Sequence, residues 1–349
     1  MSYKYLIIGA LIIILAALCF RNYLPSLSFF NNKPQSVMNN YEEELAACEE
    51  AIKLNPNDFE AYVNKGNVFF DLEKYDLALE LYNKAIEVNP KDSTAYFNKG
   101  IVFNELGEYE LAIEAYNKAI KVDPDNFERY YNLANILLDL EKYDLAIEAY
   151  NKVIKLNPDY GKAYLNKGIV LGKLGKYNLS LKLFDKAIEL TPHNPKAYFN
   201  KGMTLQELGK YDLAIKAYNK AIELDSYKPD AYVNKGIIFG ILNEYDLSIE
   251  TYNEAIKLYP NYYNAYFNKG TTLLYEFKKY NLAIEAFNEA IELNPKEPDV
   301  YFNQGTALEK LGKYDLAIES YNKALELNPN DSEAKTRKQA ILDIQKAKS

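Results

Sequence analysis

One spacing governs this chain. The stretch Ala-Tyr-x-Asn-Lys-Gly begins at Ala61 and returns at Ala95, Ala163, Ala197, Ala231 and Ala265, always at a multiple of 34 residues. Looser copies start at Arg129 and Val300. Further along each copy lies Tyr-Asp-Leu-Ala-Ile or a close relative, and a Pro usually closes the unit. Self-similarity at a fixed period of this length marks a solenoid, in which each unit buries its apolar face only against its neighbours. Such a chain offers a surface for holding other molecules. It is not organised around a catalytic pocket.

The period overrules what length alone suggests. A chain of 349 residues would ordinarily hold two or three globular domains, but one array from about Phe59 to Asp331 absorbs its middle. With 48% hydrophobic and 26% charged residues, there is enough apolar material to exclude a disordered chain. Aromatic packing falls to Tyr and Phe, because 33 Tyr stand beside no Trp. The net charge of −8 repels a phosphate backbone, so nucleic acid is not an expected partner. Only Cys19 and Cys48 occur, and they make no disulfide framework.

The N-terminus reads separately. Residues 5–20 carry no charge; as helix they span about 24 Å, short of a hydrocarbon core of about 30 Å. Extending the count to Tyr3–Leu24 gives about 33 Å, with Lys4 and Arg21 placed to snorkel and Tyr3, Tyr5 and Tyr23 suited to the headgroups. The expectation is a single-pass membrane anchor through residues 3–24. Two alternatives stand beside it. One is a signal peptide cleaved near Ser26-Leu27-Ser28, which would give a secreted or periplasmic protein. The other is lipid attachment at Cys19, disfavoured by bulky Leu18 before it.

The organisation expected is therefore an anchor or signal over 1–24, a polar tether over 25–40 and a capping helix, half a repeat, over 41–58. Eight repeats follow at 59–92, 93–126, 127–160, 161–194, 195–228, 229–262, 263–297 and 298–331, and a polar capping helix closes 332–349. The seventh repeat is one residue longer, in the turn between its helices, where an insertion costs least. Each unit reads as two antiparallel helices. In the second, Tyr96, Gly100 and Phe103 share one helical face, Gly107 turns the chain, and Tyr109, Ala112, Ile113, Tyr116, Ala119 and Ile120 form a second stripe ended by Pro124. Gly100 and Ala112 are expected to let two backbones approach, and Ala119 to leave room for the next unit.

Tyr96-x-x-Lys99-Gly100-x-x-Phe103, followed by Ala112-x-x-x-Tyr116, Ala119 and Pro124, resembles the tetratricopeptide repeat, over roughly four-fifths of the chain. Tyr replaces the family's Trp, Lys commonly stands for the Leu before the Gly, and Ala134 replaces that Gly once. Val153 and Ser226 depart from the late Ala and closing Pro, marking junctions where stacking is expected to loosen. The resemblance implies an all-α fold: a right-handed superhelical solenoid of antiparallel helix pairs, preceded here by an N-terminal hydrophobic helix. First helices would line a concave groove holding an extended peptide or a partner's helix. No cofactor, metal or small-molecule substrate is implied.

Carried over copy by copy, the family's groove residues are Asn64, Asn98, Asn132, Asn166, Asn200, Asn234, Asn268 and Asn303. A carboxamide offers one acceptor and two donors, matching a peptide unit. The row is either a ladder that grips a backbone or simply Asn at a place in the repeat that favours it. The preceding residues Val63, Phe97, Tyr131, Leu165, Phe199, Val233, Phe267 and Phe302 read as packing between first helices, or else as a greasy groove floor. The clamp with which some members hold acidic chaperone tails needs Lys and Arg next to the ladder, and these are missing. Charge along the groove is uneven. Glu60, Asp71, Glu105, Glu128 and Asp139 precede Lys162, Lys173 and Lys196, which suits a solvated face or a ligand of mixed charge. Gly172 and Gly240 are candidate notches for a bulky side chain. His193 is the only histidine, sits in an inter-repeat loop and completes no triad or zinc site. The chain is not expected to be an enzyme.

Overall fold

The computed structural model describes residues 35–224 and 228–348. These form eighteen α-helices and no strand. A single helix, α1 (Gln35–Leu54), precedes eight pairs: α2 (Phe59–Asp71) with α3 (Tyr75–Val88), α4 (Thr94–Glu105) with α5 (Tyr109–Val122), α6 (Phe127–Asp139) with α7 (Tyr143–Leu156), and α8 (Gly161–Lys173) with α9 (Tyr177–Leu190). Then come α10 (Pro195–Glu207) with α11 (Tyr211–Leu224), α12 (Lys228–Ile241) with α13 (Tyr245–Leu258), α14 (Tyr263–Tyr275) with α15 (Tyr280–Leu293), and α16 (Pro298–Lys310) with α17 (Tyr314–Leu327). The closing helix is α18 (Ser332–Lys348). The helices fall into two compact units, one ending at Asp125 and the other beginning at Asn126. Within each, every second helix packs on its own first helix and on the first helix of the next pair, and successive first helices also touch. That is the nearest-neighbour packing of a solenoid.

Helix pairing has one recurring steric cause. A Cβ placed on Gly66, Gly100, Gly168, Gly202, Gly236, Gly270 or Gly305 would lie within 2.8 Å of an aromatic carbon on the paired helix. The rings are Tyr82, Tyr116, Phe184, Tyr218, Tyr252, Phe287 and Tyr321, all essentially buried. The small residue therefore admits a ring, not a second backbone, which corrects the expectation for Gly100. In the third pair Ala134 stands beside Tyr150 with both fully buried, so a methyl is absorbed there at some local adjustment. Ala78, Ala112, Ala146, Ala214, Ala283 and Ala317 are completely buried on the second helices.

Each pair turns through one residue in the left-handed region. Gly107, Gly175, Gly209 and Gly312 serve in four turns, with φ between 67° and 74°. Glu73, Glu141, Asn243 and Lys278 serve in the other four. In the third turn the Glu141 N–H donates to the Leu138 carbonyl and the Lys142 N–H to that of Leu137, closing the helix in a Schellman pattern. The extra residue of the seventh repeat lies in that repeat's own turn, where the Lys279 N–H reaches the Leu273 carbonyl instead.

Several expectations change. The tether expected over 25–40 is helical from Gln35, where the Asn40 amide bonds Glu44 one turn on. Val153 is fully buried, so the larger side chain finds room at its junction. Ser226 lies outside the described residues, as do the anchor segment 1–24 and the cleavage and lipid sites weighed for it. Single-pass membrane placement is not upheld: among the described residues no helix is long and apolar enough to cross a membrane. The apolar run that motivated it lies outside the described residues.

Two glycines one turn apart should respond oppositely to the same change. Gly168→Ala drives a methyl toward the Phe184 ring, 2.7 Å away, and should cost about 1–3 kcal/mol. Gly172→Ala meets only ordinary contacts, Ser180 Oγ at 3.5 Å and Thr204 Oγ1 at 3.8 Å, and should stabilise by up to about 1 kcal/mol through helix propensity. Urea midpoints of the two variants check both signs. Burial also pushes the Tyr82, Tyr116, Tyr150, Tyr218 and Tyr321 hydroxyls well above the ordinary phenol range. Unfolded tyrosine ionises near pH 10, so these groups contribute stability that is intact below that pH and lost as pH rises beyond it. Alkaline unfolding should coincide with release of these phenols, read by ultraviolet difference absorbance.

Candidate peptide-binding face

On each first helix, positions i, i+4, i+7 and i+11 share one side. In α8 these are Lys162, Asn166, Ile169 and Lys173; in α10, Lys196, Asn200, Met203 and Glu207. The pairing glycine falls two residues after the Asn, about 200° round the helix, and so faces the second helix while the Asn faces away.

The ladder amides are not equivalent. Asn64 is exposed and makes no hydrogen bond among the described residues. The Asn98 Nδ2 donates across the repeat junction to Asn67 Oδ1 at 2.8 Å, and Tyr82 donates to the same oxygen at 2.8 Å. Asn166 repeats the arrangement, donating to Asn135 Oδ1 at 2.9 Å and to the Tyr131 hydroxyl at 3.2 Å, with Tyr150 donating to Asn135 at 2.7 Å. Asn132, Asn200 and Asn268 instead donate to carbonyls one turn back on their own helices, those of Glu128, Lys196 and Asn264. Asn234 stands close enough to Tyr218 to ease the upward pressure that burial puts on that phenol. Asn303 is 8% exposed, donates to the Asp299 carbonyl and accepts from Tyr275 at 2.8 Å, so little of it is left for a guest.

A second set of residues, overlooked in the sequence, decides between these modes. Three positions after the ladder Asn stands Asn67 or Asn135, and there the next ladder amide bonds across. Where that place is Ile169, Ile237 or Thr271, the following amide folds back on its own helix. The signal was legible as an Asn-x-x-Asn pair, absent from the other repeats.

The residues before the ladder pack rather than line a floor. Val63, Leu165 and Val233 are buried, and the rings of Phe97, Phe199 and Phe302 lie 5.7–5.9 Å from Tyr116, Tyr218 and Tyr321. The Lys that replaces the family's Leu has a use as well. Lys65, Lys99 and Lys201 reach back 16 residues to Glu49, Asn83 and Asp185 at 2.6–2.9 Å, and Gln304 does the same to Asn288. Gly172 and Gly240 are not open notches: they face Ser180 and Ser248, which replace the Ala of other repeats and donate to the Gly168 and Gly236 carbonyls.

The charged ends of the face, from Glu60, Asp71, Glu105, Glu128 and Asp139 to Lys162, Lys173 and Lys196, are all exposed. On the second helices, Leu77, Leu111, Leu145, Leu179, Leu213, Leu247, Leu282 and Leu316 recur at one register and are 42–51% exposed. Their recurrence at a polar register could have been noticed. A hollow of about 100 Å³ beside Leu111, lined by Tyr96, Lys99 and Phe103, is well under the roughly 300 Å³ at which small-molecule sites begin. His193 is exposed, and among the described residues no cluster of His, Cys, Asp and Glu has metal-holding geometry.

Replacing Asn135 by Leu should leave the Tyr150 hydroxyl without its partner and cost about 1–3 kcal/mol. The matching change Met203→Leu should be nearly neutral, since Tyr218 bonds Gln206 at 3.0 Å. Thermal or urea unfolding of the two variants distinguishes them.

The tetratricopeptide repeat model matches residues 59–92, 127–160, 161–194, 195–227, 229–262 and 298–331, and related repeat models match 81–114, 100–140 and 272–312. A tetratricopeptide repeat protein from Parabacteroides merdae is 18% identical over 72% of this chain and 98% of its own, with a TM-score of 0.56. A chain of the APC/C hetero-tetramer Cut9–Hcn1 is 18% identical over 86% of this chain and 60% of its own, with a TM-score of 0.53. YrrB, described as a TPR protein with an unusual peptide-binding site, is 27% identical over 53% of this chain and 95% of its own, with a TM-score of 0.47. Among curated proteins none matches. With family models covering more than half of its length and helix pairs of the expected kind throughout the matched spans, the chain belongs to the tetratricopeptide repeat family.

Proposed function

We propose that the chain is a protein–protein interaction scaffold whose first-helix face takes up a segment of a partner polypeptide. Family membership supports the coarse part of this reading, since the tetratricopeptide fold is typically a non-catalytic interaction scaffold. The observation that carries the finer part is the state of the ladder amides. Asn132, Asn200 and Asn268 each use one N–H on a carbonyl of their own helix, which fixes the side chain. The second N–H and the carbonyl oxygen remain for an outside peptide unit. Asn98 is held from the neighbouring repeat to similar effect, while Asn166 spends its amide N–H groups on Asn135 and Tyr131 and keeps its carbonyl oxygen for a guest. Amides immobilised before the guest arrives lower the ordering cost of binding.

Within the second unit, Asn132, Asn166, Asn200 and Asn268 form the usable part of the ladder; Asn303 serves the end of the stack. A guest gripped through its backbone would be read by shape and charge more than by individual side chains. The test is a binding screen of the full-length protein against a random peptide library. Peptides recovered with it should bind the Asn132→Ala, Asn166→Ala, Asn200→Ala variant at least about tenfold more weakly, as expected for three lost hydrogen-bonding groups. Equal affinity for both proteins would remove the ladder from the reading.

A further inference from the structure

Charge is segregated along the repeats. The whole chain carries −8, yet residues 161–228 hold twelve lysines against six acidic residues. Three of those acids are already engaged: Asp185 with Lys201, Glu189 with Lys186 and Glu223 with Lys220. On the first-helix face of the fourth repeat, Lys162 and Lys173 are exposed and make no ion pair among the described residues. They stand at the two ends of α8, eleven residues or about 16 Å apart, with Asn166 between them. Lys196 occupies the Lys162 place in the fifth repeat, and Lys176 and Lys210 lie in the turns at the other end. The third repeat shows the inverse arrangement, with exposed Glu128 and Asp139 flanking Asn132. Neither is paired with Lys162 or Lys173, although α6 and α8 touch.

Building on the docking role given to the first-helix face, we infer that repeats four and five receive an acidic segment of the partner polypeptide. Carboxylates spaced along that segment meet Lys162 and Lys196 on one side of the ladder and Lys173, Lys176 and Lys210 on the other. The amides of Asn166 and Asn200 hold the backbone between the two rails. The N-termini of α8 and α10 open beside Lys162 and Lys196 and add to the attraction for negative charge. A long polyanion such as RNA does not suit this place, because acidic Glu128 and Asp139 border it and the chain as a whole is negative. A short acidic stretch, neutral or basic beyond its end, fits both the lysines and their neighbours.

Full-length protein is titrated with labelled synthetic peptides of one length in which Gly and Ser alternate with Glu, with Gln or with Lys. The Glu peptide should bind about tenfold more tightly than the Gln peptide at low salt, an advantage that shrinks as salt rises. Lys162→Glu with Lys173→Glu should abolish that advantage. Lys121→Glu with Lys257→Glu, an equal change of net charge on second helices, should keep it. Equal binding of Glu and Gln peptides, the same loss from both pairs of reversals, or displacement of the Glu peptide by single-stranded RNA at lower concentration overturns the proposal. If the Gln peptide still binds in a manner sensitive to the ladder asparagines, only the charge preference has failed. If none of the three peptides binds, the docking role of the face falls with it.

Discussion

An aromatic ring seated where a first-helix glycine lacks a Cβ sets the distance between the two helices of a repeat. The ring cannot move closer without striking the helix backbone, and the helix cannot retreat without opening a void at a fully buried site. Because the glycine lies on the side of the helix away from the ladder asparagine, this one contact also fixes which residues the helix presents outward. The ladder face is thus a consequence of packing behind it. Where Ala134 replaces the glycine, Tyr150 is still buried and still bonded to Asn135, so the arrangement tolerates a methyl without losing its partner.

Junctions between repeats use different chemistry. Apolar contact supplies most of the burial there, but polar bonds give the register: a lysine or glutamine reaching back 16 residues, or an asparagine reaching back 31. The exposed lysine clasps are individually weak. Their regular spacing still favours one alignment of successive pairs over slipped ones. The asparagine relays are less exposed, and each ties a buried phenol to the ladder. Variation in these bonds makes the repeats chemically distinct even where their helices have nearly the same lengths. At the C-terminal end, Arg337 of α18 bonds Glu309 and lies over the Phe302 ring, so the closing helix seals the last repeat with charge as well as with Ala334 and Ile341.

Much of this was legible in the residues. Helix pairs, their turns and the place of the inserted residue all follow from the 34-residue period and from apolar spacing, because both record burial directly. Other features depended on three-dimensional neighbours. Nothing about Gly100 alone says that a ring, not a backbone, fills its notch. Asn303 reads like its seven counterparts, and only its surroundings in space, Tyr275 among them, show it buried. The pairing of Gly172 with Ser180 was written in the sequence but required knowing that the two positions face each other. Gln35–Asn40 looked like a tether for want of apolar periodicity, yet it continues a helix whose later turns pack on α2. Hydropathy of the first residues gave the membrane expectation, and a run of apolar letters is a weaker guide than a period that predicts its own neighbours.

The reach of the bonds has a consequence for how the chain is made. Ring and notch are separated by 16 or 17 residues, and the longest of the junction bonds named above, Asn166 to Tyr131, spans 35. Contacts this local impose little loop-closure entropy and favour rapid folding. Each repeat can complete its packing as soon as its successor leaves the ribosome, with no need to wait for distant sequence. Assembly can then proceed from the N-terminal side in step with synthesis, leaving only the newest helix pair with an uncovered apolar flank at any moment.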